Sequence, residues 1–192
     1  MVCWRAKARH KDLLPSPRGE GGGHAPPGEG VSPVVNYTEG QDGAFERFCA
    51  LAFLQPFAEF LADHAEVPTP EVRRATCPYC GSLPLVGVLR PEGEGAKRSL
   101  VCSFCRTEWD YLRIACPECD ERREEKLCVY TTPKFDAVRV EACGTCRAYT
   151  LTVDLTKNGL MVPEVDALAA IPLTLWAEEE GYQKATRGVL GL

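Results

Sequence analysis

Cys77-Pro-Tyr-Cys80, Cys102-Ser-Phe-Cys105, Cys116-Pro-Glu-Cys119 and Cys143-Gly-Thr-Cys146 decide how this chain folds. A Cys-x-x-Cys pair reverses the chain so that both sulfurs point at one centre, and four pairs supply ligands for two tetrahedral sites. All three histidines (His10, His24 and His64) precede the first pair. The expected ligands are therefore sulfur alone, with no position left open for a reacting water. All-sulfur ligation suits structural or electron-transfer sites, and tetrahedral sulfur accepts either iron or zinc. The expected cofactors are two metal ions, iron or zinc, on Cys77, Cys80, Cys102, Cys105, Cys116, Cys119, Cys143 and Cys146.

Cys80 and Cys102 are separated by 21 residues, and Cys119 and Cys143 by 23. Each interval holds one hairpin, so each half reads as Cys-x-x-Cys, hairpin, Cys-x-x-Cys, the plan of a zinc ribbon or rubredoxin. A cross-brace would pair Cys77/Cys80 with Cys116/Cys119 instead. It usually includes His and a shorter central spacing, so the sequential wiring is favoured. Backbone N–H groups of tight knuckles are expected to donate to the thiolates. Gly81 suits the left-handed position that closes the first knuckle. Arg106, Asp120 and Arg147 occupy its equivalent in the other three, where a non-glycine residue costs roughly 1 kcal/mol.

Further out, short β runs are expected at Leu85–Arg90, Ser99–Phe104, Trp109–Ala115, Leu127–Thr131, Val138–Ala142 and Tyr149–Leu155. Upstream, Phe45, Phe48, Cys49, Ala52, Phe53, Phe57, Phe60 and Leu61 recur at helical spacing. Pro56 either kinks that helix or starts a second one. Cys49 reads as a small buried hydrophobe among these phenylalanines, and Cys128 as strand-face packing. So apolar a stripe needs covering by the ribbon or by another subunit, and a homodimer is one way to do it. Pro163 to Gln183 reads as helix interrupted near Pro172, with Gly181 at the C-terminal cap. Residues 1–36, rich in Gly and Pro, read as a disordered tail or as sequence foreign to the original gene.

The expected fold class is α+β: two consecutive rubredoxin- or zinc-ribbon-like four-cysteine modules flanked by N- and C-terminal helices. The divisions are a tail at 1–36, a helical segment at 37–70, ribbons at 71–113 and 114–160, and a C-terminal helix and tail at 161–192.

Net charge is −5. Residues 71–147 carry 13 Lys/Arg against 12 Asp/Glu, interspersed, so no basic stripe offers itself to nucleic acid. The start of the chain has no apolar run of signal-peptide length, and no run anywhere is long enough for a membrane helix. A cytoplasmic location is expected, where thiols stay reduced and paired cysteines bind metal rather than form disulfides. Nucleophile–base pairs, nucleophile elbows and phosphate-binding glycine loops are all missing, so no residue receives a catalytic role.

The series Cys77-Pro-Tyr-Cys-Gly-Ser, Val86-Gly-Val-Leu-Arg, Leu100-Val-Cys-Ser-Phe-Cys-Arg-Thr-Glu-Trp, Leu112-Arg-Ile-Ala-Cys-Pro-Glu-Cys and Ala142-Cys-Gly-Thr-Cys-Arg-Ala-Tyr, with Leu173–Trp176 and Glu179-Glu-Gly-Tyr, resembles the formate dehydrogenase accessory protein family. The resemblance runs from about Gln41 to Leu192. It implies a non-enzymatic maturation factor that binds the catalytic subunit of a formate dehydrogenase. It also implies paired rubredoxin-like modules packed with helices, and a ligand role for all eight paired cysteines. Iron has been associated with the family. Its members carry a longer N-terminal helical portion, so a truncated member is expected here. The alternatives carried by the residues alone are a rubredoxin-like electron carrier and a zinc-ribbon nucleic-acid-binding protein.

Overall fold

Two hairpins set the architecture. The computed structural model describes residues 2–3, 43–65 and 74–186. Strands β2 (Pro84–Glu92) and β3 (Gly95–Cys102) turn through Gly93, whose φ of 54° is the positive value such a two-residue turn needs. Strands β5 (Leu127–Thr132) and β6 (Phe135–Cys143) pair antiparallel, and β6 pairs in turn with β7 (Ala148–Asp154). Short β4 (Glu108–Asp110) closes the first half against β3. The expected Trp109–Ala115 strand stops at Asp110, because the chain turns there to place Cys116 in the next knuckle.

The two ribbons share one sheet, in the order β1-β5-β6-β7-β2-β3-β4. Here β1 is Val2–Cys3, and β8 (Gln183–Lys184) pairs beside β7. The joint is parallel: Gly87, Val88 and Leu89 of β2 stand opposite Thr152, Val153 and Asp154 of β7. Gly87 is required at this joint. A Cβ there would come within 2.5 Å of Thr152 Oγ1.

Alternation along the strands gives the sheet two faces. Val86, Val88, Val101, Val138, Val140, Leu151 and Val153 form one face, with Ala170, Leu173 and Ala177 of the C-terminal helices packed over it. Those helices are α2 (Pro163–Ala169) and α3 (Ile171–Glu179), each with proline in its first turn, where the missing N–H costs nothing. Ala170, fully buried, marks the break between them. Gly181, at φ 78°, ends α3. Its N–H donates to Glu178 O and that of Tyr182 to Ala177 O, a Schellman closure.

The opposite face differs along its length. At the first ribbon it is apolar, with Leu100, Trp109 and Tyr111 around Cys77, Cys102 and Cys105. Toward the second ribbon it turns polar, with Arg98, Arg139, Glu141 and Thr150 lining a hollow of about 360 Å³.

Helix α1 runs from Gly43 to His64 with Pro56 inside it. Ala58 and Ala62 pack against the first ribbon. Cys49 is exposed, which corrects the expectation of burial, and so are Phe45, Phe53, Phe57 and Phe60. The reason is geometric: the helix meets the ribbon through the side that carries Ala58 and Ala62. Cys128 is half-buried on β5. Apart from Val2–Cys3 the 1–36 tail lies outside the described residues, as does the Val67–Glu71 linker. Among the described residues no helix is long and apolar enough to cross a membrane.

Candidate metal centres

Each cluster is built by two chain reversals facing one another. In the first, Cys77 and Cys80 stand on the knuckle ahead of β2, while Cys102 ends β3 and Cys105 follows it. In the second, Cys116 and Cys119 precede β5, while Cys143 ends β6 and Cys146 opens the way to β7. All four sulfurs of each cluster lie within 4.8 Å of one another. The sequential grouping, and not the cross-brace, is what the chain adopts.

The knuckles share one backbone plan. Cys77 N–H donates to Ser82 O at 2.8 Å, and Gly81 N–H returns to Cys77 O at 2.9 Å. Cys116 and Glu121, with Asp120 returning to Cys116, repeat this at 2.9 and 3.0 Å. The residue that closes each knuckle is left-handed: Gly81 at φ 76°, Arg106 at 57°, Asp120 at 55° and Arg147 at 62°. Non-glycine side chains in this conformation cost roughly 1 kcal/mol each, and the two arginines offset it with contacts to the flanking helices. Arg106 Nε reaches Glu59 of α1 at 3.3 Å. The Arg147 guanidinium caps Glu180 O at the end of α3 and lies 4.0 Å over the Tyr182 ring. These knuckle arginines thus fasten the flanking helices to the clusters. The position was legible in the sequence, but the tethers were not, because their partners lie far along the chain.

The sulfur geometry fits a metal. Cys77–Cys105 and Cys80–Cys102 are 3.6 and 3.4 Å apart, and Cys116–Cys146 and Cys119–Cys143 are 3.6 and 3.7 Å apart. A tetrahedron with metal–sulfur bonds of about 2.3 Å has edges of about 3.8 Å. All eight thiols are free of disulfides. Knuckle amides point at sulfur: Phe104 and Cys105 N–H donate to Cys102 Sγ at 3.3 and 3.4 Å. Such bonds spread the charge of four thiolates around one ion.

The thiols do not hold their protons alike. Hydrogen bonding from Cys102, then from Cys77, lowers Cys105 to about 6. Cys80 is lowered as well, first by Cys102. Cys102 is pushed up, by Cys105 first, then by Cys77 and Cys80, with burial adding to it. In the second cluster burial pushes Cys146 up to about 11. Burial also opposes the Cys143 thiolate, but the backbone N–H groups of Cys146 and Thr145 outweigh it and hold Cys143 low. Metal loading must displace the protons that remain, so it releases acid and weakens as pH falls.

The comparisons with known proteins agree with this geometry. A family model described as "FdhE, central domain" matches residues 76–113, the first ribbon. A protein named "Protein FdhE homolog" from Aquifex aeolicus is 34% identical over 147 residues, covering 76% of this chain and 52% of its own length. The homologue from Edwardsiella ictaluri is 30% identical over 148 residues, covering 77% and 47%. The crystal structure of the FdhE protein from Pseudomonas aeruginosa superposes with a TM-score of 0.66 at 29% identity, covering 73% of this chain and 50% of that one. The chain spans about half the length of these relatives. Over that shared portion, in motif order and in fold, it belongs to the FdhE family of formate dehydrogenase accessory proteins.

Proposed function

We propose that this chain is a non-enzymatic accessory factor that binds the catalytic subunit of a formate dehydrogenase and supports its assembly or activity. Its two four-cysteine sites hold iron or zinc, with Cys77, Cys80, Cys102 and Cys105 on one ion and Cys116, Cys119, Cys143 and Cys146 on the other. The observation that carries this reading is the pair of complete four-sulfur clusters set in one sheet. Four protein sulfurs fill a tetrahedral site and leave no position for substrate, so the ions brace a surface.

The apolar face of α1 is the surface we assign to the client. Phe45, Phe53 and Phe57 are 73%, 81% and 61% exposed, and a grouping of large apolar side chains left in water marks an interaction surface. Val165, Leu168 and Leu175 of the C-terminal helices add a second exposed set. The reading places the protein in the cytoplasm, off the membrane and off nucleic acid, since a nearly neutral ribbon releases few counterions.

The test is a deletion strain assayed for formate dehydrogenase activity, complemented with the wild-type chain and with Phe53→Asp/Phe57→Asp. Loss on deletion, rescue by the wild type and no rescue by the folded double variant are expected. Full activity without the gene and without a paralogue would overturn the reading. Exposure of Cys119 favours one second reading, a rubredoxin-like electron carrier. A reversible visible spectrum in the iron-loaded protein, together with turnover as a redox mediator, would establish it.

A further inference from the structure

The two clusters are alike in ligands and unlike in shelter. In the first, Cys77, Cys102 and Cys105 are buried and Cys80 half-buried. In the second, Cys119 is exposed and Cys146 half-buried. The difference begins in the sequence. The residues enclosed by the first cluster's pairs include Tyr79 and Phe104, which pack against the hydrophobic cluster that also holds Trp109 and Ala62 of α1. The second cluster's pairs enclose Pro117-Glu118 and Gly144-Thr145, of which Glu118, Gly144 and Thr145 are exposed. Among the described residues, the first site's four cysteines belong to a hydrophobic cluster and none of the second's does.

We propose that the second cluster is a metal-exchange site, opened through Cys119, while the first is a permanent brace; this rests on the metal-ligand reading above. Ligand exchange needs an incoming donor to approach the ion as one sulfur departs, so access controls its rate. Cys119 is placed to be that sulfur. Its bond to the ion breaks as an incoming soft donor, a thiolate or a chelator, takes the position, and the Cys119 sulfur leaves with the bonding electron pair as a free thiolate. Nothing is oxidised or reduced. Cys116 and Cys143, both buried, hold the ion until the donor completes its set. In the first cluster the same approach meets the Tyr79 and Phe104 rings and helix α1. The partner this fits is a molecule presenting soft sulfur ligands, either delivering an ion or accepting one.

The full chain, loaded anaerobically with zinc to two ions, is mixed with excess 4-(2-pyridylazo)resorcinol, and release is followed by absorbance. Parallel samples are quenched with N-ethylmaleimide and mapped by peptide mass spectrometry. One ion per chain should leave ~10-fold or more faster than the other. Cys116, Cys119, Cys143 and Cys146 should be alkylated during that phase. Tyr79→Ala should speed the slow phase and leave the fast phase unchanged. Two ions leaving at one rate, or first-cluster cysteines alkylated first, would overturn the proposal while leaving the metal-ligand reading intact. A folded chain that takes up no metal would overturn both.

Discussion

Arg98 and Glu141 join the two ribbons across strands that do not touch. Arg98 Nη2 lies 2.7 Å from Glu141 Oε2, with the side chains only 1% and 15% exposed. Arg98 stands on β3 and Glu141 on β6, with β2 and β7 between them in the sheet. The other guanidinium nitrogen, Nη1, donates to Leu112 O at 2.8 Å and Ala115 O at 3.2 Å, so the same side chain also holds the connection between the halves. Tyr111 lies beneath it, 5.3 Å from ring centre to guanidinium carbon. Arg139 Nε takes the second Glu141 oxygen at 2.9 Å. One carboxylate therefore serves two arginines in a buried, low-dielectric setting.

This asymmetry ranks two substitutions. Glu141→Leu strands two guanidinium groups and should cost about 3–5 kcal/mol. Arg98→Met leaves Glu141 still paired with Arg139 and should cost about 1–3 kcal/mol, mainly from the lost hydrogen bonds. Urea titrations of the metal-loaded chain measure both. The reverse order would show that Arg98 rather than Glu141 is the centre of the network, and equal costs that neither is.

Acid should dissolve the same network from the carboxylate side. Burial works against the Glu141 charge, but Arg98 and Arg139 outweigh it and hold its carboxyl below the ordinary range. A depressed carboxylate stabilises the fold fully above its unfolded value, about 4.3, and loses that contribution as pH falls through the lower folded value. Stability carried by Glu141 should thus be level from neutrality to about pH 5 and fall below it. Comparing wild type with Glu141→Gln in pH-dependent denaturation isolates this part, since the variant should lack that decline.

Metal removal should act on each half separately. Cys80→Ser and Cys119→Ser are each expected to lower the metal content from two ions to one, because each site needs all four sulfurs. Melting should fall in both variants, with hydrogen exchange rising most in the ribbon that lost its ion. Two retained ions with unchanged melting would end the ligand assignment.

The joint between ribbons can be tested without touching a cysteine. Gly87→Ala drives a Cβ into Thr152 Oγ1 and should destabilise the chain by about 1–3 kcal/mol. Thr152→Ala removes the obstructing oxygen, so the double variant should recover part of the loss. Additive losses in the pair would mean that the clash is relieved elsewhere.

Local order in this protein was readable from its residues, because each cluster is set by spacing within a short stretch. Cys-x-x-Cys with a left-handed closing position is a local rule, so Gly81, Arg106, Asp120 and Arg147 could be assigned that conformation from sequence. Hairpins announced themselves by alternation, and α3 ended at Gly181 as its C-terminal pattern implied. What spacing could not carry was long-range pairing. The parallel registry of Gly87 with Thr152 leaves no periodic mark, and neither does the attraction of Arg98 for Glu141. Burial of Cys49 was misjudged for a related reason. Helical periodicity identifies an apolar stripe, but it does not say whether a second surface arrives to cover it.

The parallel joint also imposes an order on the making of the protein. Strands β2, β3 and β4 find their antiparallel partners next to them in the chain, and so do β5, β6 and β7. Each ribbon can close as soon as it is made. Strand β2 cannot finish, because its other neighbour, β7, comes last of the six. Until β7 arrives, a nascent chain presents Gly87, Val88 and Leu89 as an unpaired strand edge open to any other extended segment. The vulnerable interval in the life of this molecule is therefore the ribosomal one, between the completion of its first half and the arrival of its last long strand.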